Sequence, residues 1–372
     1  MVKQVDIAVM ATNLDGGIGR NKLNLISAFC KLGCRVALLI EKPGGIFYEQ
    51  IPEEVQIFHL PSTHPIAGVL PLVSVLRKIK PKVVMPCVVR LTQLALRGRS
   101  LSRLPIKIFP VVHNTYTVKD SNKKARKLEK RRRKVASYYP KCDGVICVSG
   151  GVKEDIQKYA RTPLTNASVI LNPMVTEDLK RLKQEPVDHP WLQGNERVIL
   201  NAGRYSRAKN LPLLIEAFNL LREKSQAKLI MIASDIEKLK ALVDESPYAK
   251  DIDVLAFQSN PFKFMANADL FVLCSNFEGL PGVLIEALAC GAPIVSTDCP
   301  SGPVEILEGG KLGRLVPMND AAALAEAMVE QLESPLISAE VAQESAERRF
   351  SSVNIAREYL EHFGLSDPSQ SH

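Results

Sequence analysis

The chain has 372 residues, 46% of them hydrophobic and 24% charged, which excludes a disordered or fibrous protein and gives length for two domains, each with its own core. The longest apolar runs, such as the one at Val283–Ala289, are too short to span a bilayer, and the opening MVKQVDIAVMATN lacks the three regions of a signal peptide, so a cytoplasmic protein is expected. A formal charge of +8 suits an anionic partner, and eight cysteines without a CxxC or a histidine at ligand spacing read as buried, reduced side chains with no metal.

VDIAVMATN reads as a strand, LDGGIGR as a glycine loop, and NKLNLISAFCKLG as a helix in which Leu23, Ile26, Ala28, Phe29 and Leu32 recur at helical spacing before Gly33. CRVALLIE, KVVMPC, KIFPVVHN and GVICVSGG follow as strands, separated by the helical or long connections that a parallel sheet needs. Beyond VILNPM, a polar, proline-containing passage shows no clear period and reads as a linker. The alternation then restarts. RVILNAG is a strand, KNLPLLIEAFNLLREK an amphipathic helix, AKLIMIAS a strand and IEKLKALVDE a helix. IDVLAF, LFVLCS, PIVST and GRLVP supply further strands, AAALAEAMVEQL a helix, and RRFSSVNIAREYLEHF one closing amphipathic helix. The expected organisation is a first domain over 1–171, a linker over 172–195, a second domain over 196–345, and a last helix with a polar tail over 346–372 that crosses back to the first domain.

Three loops carry chemistry. Gly16-Gly17-Ile18-Gly19, between strand and helix, lets backbone N–H groups approach an anion, although a tight turn also needs glycine for steric reasons and the string is not GxGxxG. In NAGRYSRAKN the strand ends at Gly203, and Arg204, Arg207 and Lys209 follow at the carboxyl edge, where open α/β sheets bind ligands. Such cations pair with a diphosphate or stay solvated, and three together favour the diphosphate. In NFEGLPGVLIEALACGAPIV, Glu278 stands past a strand end, the Gly279-Leu280-Pro281-Gly282 turn opens a helix, and Glu286 lies one turn inside on an apolar face. A buried carboxylate needs donors, which sugar or ribose hydroxyls or neighbouring backbone N–H groups would supply.

EGLPGVLIE resembles the E-x7-E motif of retaining glycosyltransferases of the GT-B type, family four. GRYSRAKNLPLLIEAF is similar to that family's Gly-Arg...Lys segment, GGIGR to its N-terminal glycine loop and VVHN to its N-domain histidine. The resemblance runs almost end to end in the second half and in islands in the first. It implies an α/β GT-B fold, two Rossmann-like doubly wound domains with a deep interdomain cleft, the first for the acceptor and the second for a nucleotide sugar. It further implies that Arg204 and Lys209 neutralise the leaving diphosphate without a metal or cofactor, that Glu278 holds hydroxyls of the donor sugar and Glu286 the ribose, and that His113 sits by the sugar. Gly16, Gly17, Gly203, Gly279, Leu280, Pro281, Gly282 and Val283 complete the implied donor site. Retention in this family runs on one face of the sugar, the departing phosphate oxygen taking the acceptor's proton; a glycosidase reading of the two glutamates leaves the cations without a role.

Two departures stand out. LIMIASD lacks the family's Gly-x-Gly, which leaves a nucleotide contact at Ser234 open, and the DxD string Asp251–Asp253 precedes its strand and reads as loop chemistry.

Between Lys119 and Lys134 ten Lys/Arg stand against Asp120 and Glu129. A solvated face, a nucleic-acid site, an anionic membrane and an acceptor's pyrophosphate all compete for this segment. It has no aromatics for base stacking, and Leu128, Val135 and Tyr139 make only a thin apolar stripe, which favours electrostatic docking to lipid over nucleic acid or deep insertion. Lys123, Lys124, Lys127, Arg131 and Arg132 are the expected acceptor or membrane contacts. The expected protein is a hexosyltransferase, peripheral at the inner face of the cytoplasmic membrane, moving a hexose or N-acetylhexosamine from a uridine-linked donor to a lipid-linked glycan. TDCPSGPVEIL looks like the branch building bacterial surface or N-linked oligosaccharides. A nucleotide-sugar epimerase or other Rossmann oxidoreductase should carry GxGxxG and a Tyr-x-x-x-Lys catalytic pair, and the chain is expected to have neither; a nucleic-acid-binding protein accounts for the basic run but not for Arg204, Lys209, Glu278 and Glu286 at one sheet edge.

Overall fold

A computed structural model describes residues 4–64, 66–121 and 124–370. The chain divides into two compact units, Met1–Pro173 with Ser352–His372, and Met174–Ser351.

In the first unit the strands are β1 (Ile7–Ala11), β2 (Val36–Ile40), β3 (Gln56–His59), β4 (Val83–Pro86), β5 (Lys107–Ile108), β6 (Val111–Val112), β7 (Val145–Cys147) and β8 (Ala167–Val169). They form a five-stranded sheet in the order β3-β2-β1-β4-β5 and a three-stranded sheet β6-β7-β8, every pair parallel. β1 and β2 are apolar at every position and buried throughout, as strands covered on both faces must be. The expected strand KIFPVVHN is cut in two at Pro110, which has no N–H to give. The Phe109 amide donates to Val84 O at 3.0 Å on one side, while Pro110 O accepts from the Ile146 amide at 2.9 Å on the other.

The expected closing helix is also two helices, Ala339–Phe350 and Ser352–Phe363. Ser351 between them is extended (φ −54°, ψ 124°) and bridges Val175, a local alternative that serine offers more readily than the flanking residues. The first of these helices stays in the second unit. The other packs on the helix Gly16–Lys31: Phe29 meets Tyr359 edge-on at 6.2 Å and Phe363 at 6.4 Å, Phe109 lies 4.8 Å from Phe363, and Lys107 Nζ donates to Phe363 O at 2.8 Å.

The second unit holds β9 (Val198–Arg204), β10 (Lys228–Ser234), β11 (Ile252–Leu255), β12 (Leu270–Leu273), β13 (Ile294–Thr297) and β14 (Arg314–Val316). Their order, β11-β10-β9-β12-β13-β14 and all parallel, is that of a doubly wound sheet with its switch point between β9 and β12. The helices Leu211–Arg222 and Ala321–Glu333 pack together over the core of Leu214, Phe218, Leu229, Leu324 and Met328.

Residues 174–195, expected to be linker, belong to this second unit. Thr176 caps the helix Glu177–Leu182, Leu179 is buried, Lys183 Nζ donates to Ala289 O at 3.1 Å, and Asn260 Nδ2 donates to Leu182 O at 2.8 Å. Side-chain to main-chain bonds hold the passage in place, and hydrophobic periodicity does not register them.

Candidate functional site

Two loops build the site of the second unit. One follows β9 and ends at Asn210, which opens the helix Leu211–Arg222. The other follows β12 and opens the helix Gly282–Cys290. They are fastened together: the Asn276 amide donates to Ala208 O at 2.7 Å, Asn276 Nδ2 to Arg207 O at 2.9 Å, Asn210 Nδ2 to Asn276 Oδ1 at 3.3 Å, and Cys274 Sγ to Lys209 O at 3.1 Å. Between them Lys209 Nζ reaches Glu278 Oε1 at 2.7 Å, both side chains largely withdrawn from water. Ser275 Oγ donates to the same oxygen at 2.8 Å.

The backbone of the EGLPG turn is pinned from β13's side. The Glu278 amide donates to Pro300 O at 2.8 Å and Ser301 Oγ to Gly279 O at 2.7 Å. Gly302 has φ +103°, and a Cβ there would lie 3.0 Å from Leu280 Cα and 2.6 Å from Pro281 Cδ, so only glycine lets the two segments touch. Gly279, Leu280 and Pro281 are buried, Gly282 and Val283 half-buried at the helix start, and Glu286 is 6% exposed among Leu284, Ile285 and Ala287. A Cβ on Gly203 would meet Lys209 Cε at 3.4 Å, so the lysine stem lies directly over that glycine.

Arg204 is exposed at the end of β9, makes no ion pair among the described residues, and is in register with Ser234 on β10. Where Gly-x-Gly was expected, Asp235 takes up the left-handed conformation (φ 56°). The site therefore has a fixed Lys–Glu pair, an exposed arginine and a nine-residue helix opening at one sheet edge, a set able to receive a diphosphate and hold hydroxyls. Tyr205 to Lys209 does spell the Tyr-x-x-x-Lys of a Rossmann oxidoreductase. Here, however, Tyr205 packs against the unit's core and Lys209 is bound to Glu278, in a loop and not along one helix. Cys274 and Cys299 are buried close by, and burial pushes each thiol up to about 12, so neither is a nucleophile.

The Asp251–Asp253 string is structural. Asp251 takes Arg222 Nη2 and Lys228 Nζ, each at 2.7 Å; burial acts to raise its carboxyl, but these two partners hold it below its usual range. Asp253 bonds His189 Nε2 at 3.1 Å. Among the described residues no group of three His, Cys, Asp or Glu side chains converges as a metal site.

In the first unit Gly16 (φ +60°) starts the helix Gly16–Lys31. A Cβ on Gly17 would meet nothing within 4 Å, whereas one on Gly19 would sit 2.4 Å from Leu14 C, so Gly19 is there for packing and Gly17 leaves open space. His113, half-buried just past β6, lines a small cavity with Asn21, Lys22 and Cys87.

The basic segment forms the helix Ala125–Tyr138. Its apolar stripe faces inward, Val135 and Tyr139 being fully buried. Arg131 binds the buried Asp120 at 2.8 Å and lies 4.2 Å from the Tyr116 ring, Tyr159 donates to Asp120 Oδ2 at 2.6 Å, and Arg132 lies over the Tyr159 ring at 5.4 Å. So two of the five cations expected to meet an acceptor or membrane instead anchor the helix. Lys124 and Lys127 are exposed; Lys123 lies outside the described residues. A groove of about 400 Å³ beside the helix is lined by Lys127, Lys130 and Lys134, by Thr12 past β1 and by Arg90 past β4. Arg90 is itself paired with Glu41 at 2.7 Å, which holds the Glu41 carboxyl below its usual range. No helix among the described residues is long and apolar enough to cross a membrane.

Sequence reasoning missed Ser275, Asn276 and Asn210, and the part Asp120 plays as the buried partner of Arg131. Their only signal is polarity at strand ends and beside turns, which it shares with most loops.

Two family models match, glycosyltransferase family 4 over residues 15–178 and glycosyl transferases group 1 over residues 187–349. The chain is 30% identical over 233 residues to the N-acetylgalactosamine-N,N'-diacetylbacillosaminyl-diphospho-undecaprenol 4-alpha-N-acetylgalactosaminyltransferase of Campylobacter jejuni, 61% of this chain and 62% of that one. Its matches to that relative and the next three span between 39% and 62% of their own lengths. Among solved structures, a glycosyltransferase from Rickettsia africae superposes with a TM-score of 0.79 at 17% identity, covering 99% of this chain and all of that one. Anabaena Alr3699/HepE in complex with UDP gives 0.76 at 19% identity, covering 96% and 99%. With the GT-B fold of these neighbours and two family models spanning nearly its whole length, the chain belongs to the group 1 glycosyltransferases.

Proposed function

We propose that this protein transfers a hexose or N-acetylhexosamine, with retention, from a UDP-sugar to a lipid-linked glycan at an anionic membrane surface. The observation that carries the reading is the Lys209–Glu278 pair at 2.7 Å beside Arg204 and the opening of the helix Gly282–Cys290. A diphosphate bound there meets one exposed guanidinium, one ammonium and free helix N–H groups, a preorganised positive field that needs no divalent ion. Glu278 takes hydroxyls of the sugar and Glu286 those of the ribose. The acceptor oxygen bonds to the anomeric carbon as the bond to the β-phosphate breaks on the same face, and the acceptor's proton passes to the departing phosphate oxygen, giving UDP.

UDP is favoured because the Anabaena neighbour's structure contains it, and a lipid diphosphate acceptor because the Campylobacter relative's name carries one. The exposed cations Lys124, Arg126, Lys127, Lys130 and Arg133 suit an anionic surface, each worth at most about 1 kcal/mol there. The test is release of UDP from a panel of UDP-sugars, with a polyprenyl-diphosphate glycan as acceptor and chelator present. Transfer with an unchanged anomeric configuration is expected. Activity that disappears in chelator and returns only with manganese or magnesium overturns the metal-free reading, and no thermal stabilisation by any UDP-sugar overturns the donor.

A further inference from the structure

Lys209 faces two demands that conflict. In the structure its ammonium is bound to Glu278 at 2.7 Å, whereas the reaction proposed above, on which this inference rests, calls the same ammonium to a diphosphate. If Lys209 alone oriented Glu278, the carboxylate would be released just as the sugar arrived. We infer that Ser275 is a positioning residue that holds Glu278 while Lys209 changes partner.

The geometry supports a division of labour. Ser275 is fully buried, and its hydroxyl donates to the same Oε1 as the lysine at 2.8 Å. Its carbonyl accepts from Thr297 Oγ1 at 2.7 Å, and Thr297, ending β13, is fully buried too. The next residue is pinned through the Asn276 amide to Ala208 O at 2.7 Å, and the Glu278 backbone through its own amide to Pro300 O at 2.8 Å. A serine hydroxyl turns about one side-chain torsion on this rigid support, whereas the lysine ammonium rides on a flexible four-carbon stem, here running over Gly203. The stiff donor stays with the carboxylate and the mobile one moves to the phosphate. Hydrogen bonds that orient the ligands of a metal commonly carry ten- to a hundredfold in affinity or activity, and a bond that orients a sugar-binding carboxylate is expected to matter on the same scale.

A double-mutant cycle tests it, using the full chain and the donor that supports turnover. Ser275→Ala is expected to lower kcat about 10- to 100-fold, leave the donor KM and UDP binding within about twofold, and add less than about twofold when combined with Glu278→Gln. Ser275→Cys, of similar size but a weak donor, should behave like the alanine variant; it replaces the alanine variant if that one fails to fold. A kcat close to wild type in the Ser275 variants overturns the inference, as do losses that multiply in the double variant, or a donor KM that rises and a melting temperature that falls along with the loss of kcat. If Glu278→Gln alone is fully active, the function proposed for Glu278 falls as well; if it is inactive while the Ser275 variants are not, only the role of Ser275 falls.

Discussion

Both units carry cations at the carboxyl edge of their sheets, but they present them differently. In the second unit Lys209 is fastened to Glu278 on a loop that four hydrogen bonds tie to its neighbour, with Arg204 standing beside it at the end of β9. In the first, one helix turns Arg131 inward to the buried Asp120 and leaves Lys124, Arg126, Lys127, Lys130 and Arg133 exposed. A few cations in fixed places suit one small anion whose charge must be met at defined points, and many loosely held ones suit a surface whose charges are spread out.

The contrast breaks most readily at Lys209 and Arg204. Lys209→Met and Arg204→Met should each lower kcat/KM by about 10²- to 10³-fold, the usual loss for one preorganised donor, measured with a soluble acceptor. If neutralising the exposed helix cations costs as much in that assay, the difference between the two edges disappears. Asp120→Ala leaves Arg131 unpaired against buried tyrosines and should destabilise the first unit by about 3 kcal/mol, read as a shift of the urea midpoint. Gly19→Ala belongs in the same range, since its Cβ would fall 2.4 Å from Leu14 C. Lys127→Gln with Lys130→Gln should remove about 2 kcal/mol of attraction to anionic vesicles and leave UDP binding unchanged, as sedimentation and calorimetry would show.

The smallest effect is expected at His362, whose ring bonds Ser168 Oγ at 3.0 Å and whose proton affinity burial lowers. A group that binds its proton less readily when folded contributes stability above its unfolded pKa of about 6.5 and loses it as pH falls. The first unit should therefore unfold slightly more easily at pH 5 than at pH 7.5, and His362→Gln should flatten that slope.

Most of the strands were legible because all three sheets are parallel and many strands, β1 and β2 among them, are continuous apolar runs; β3, with alternating burial, was not. Glu278 and Glu286 were singled out because they bracket a turn, and Lys209 because three cations follow the end of a strand. What escaped was governed by single polar contacts. Pro110 divides a strand whose composition is uniformly favourable, Ser351 divides a helix with an unbroken apolar stripe, and residues 174–195 dock through Thr176, Lys183 and Asn260 with few apolar positions to reveal it. The basic run was plain as charge. Which of its arginines turn inward depends on Asp120, at the start of the run itself, and on Tyr159, a distant residue that no local pattern connects to it.

The return of Ser352–Phe363 to the first unit has a consequence for how the protein is made. The partner of the helix Gly16–Lys31 leaves the ribosome only after the whole of the second unit, so Phe29 waits without Tyr359 and Phe363 while Met174–Ser351 is synthesised. The first unit begins before the second and is completed after it, and a nascent chain stalled anywhere in Met174–Ser351 would display an apolar groove to chaperones that the finished protein conceals.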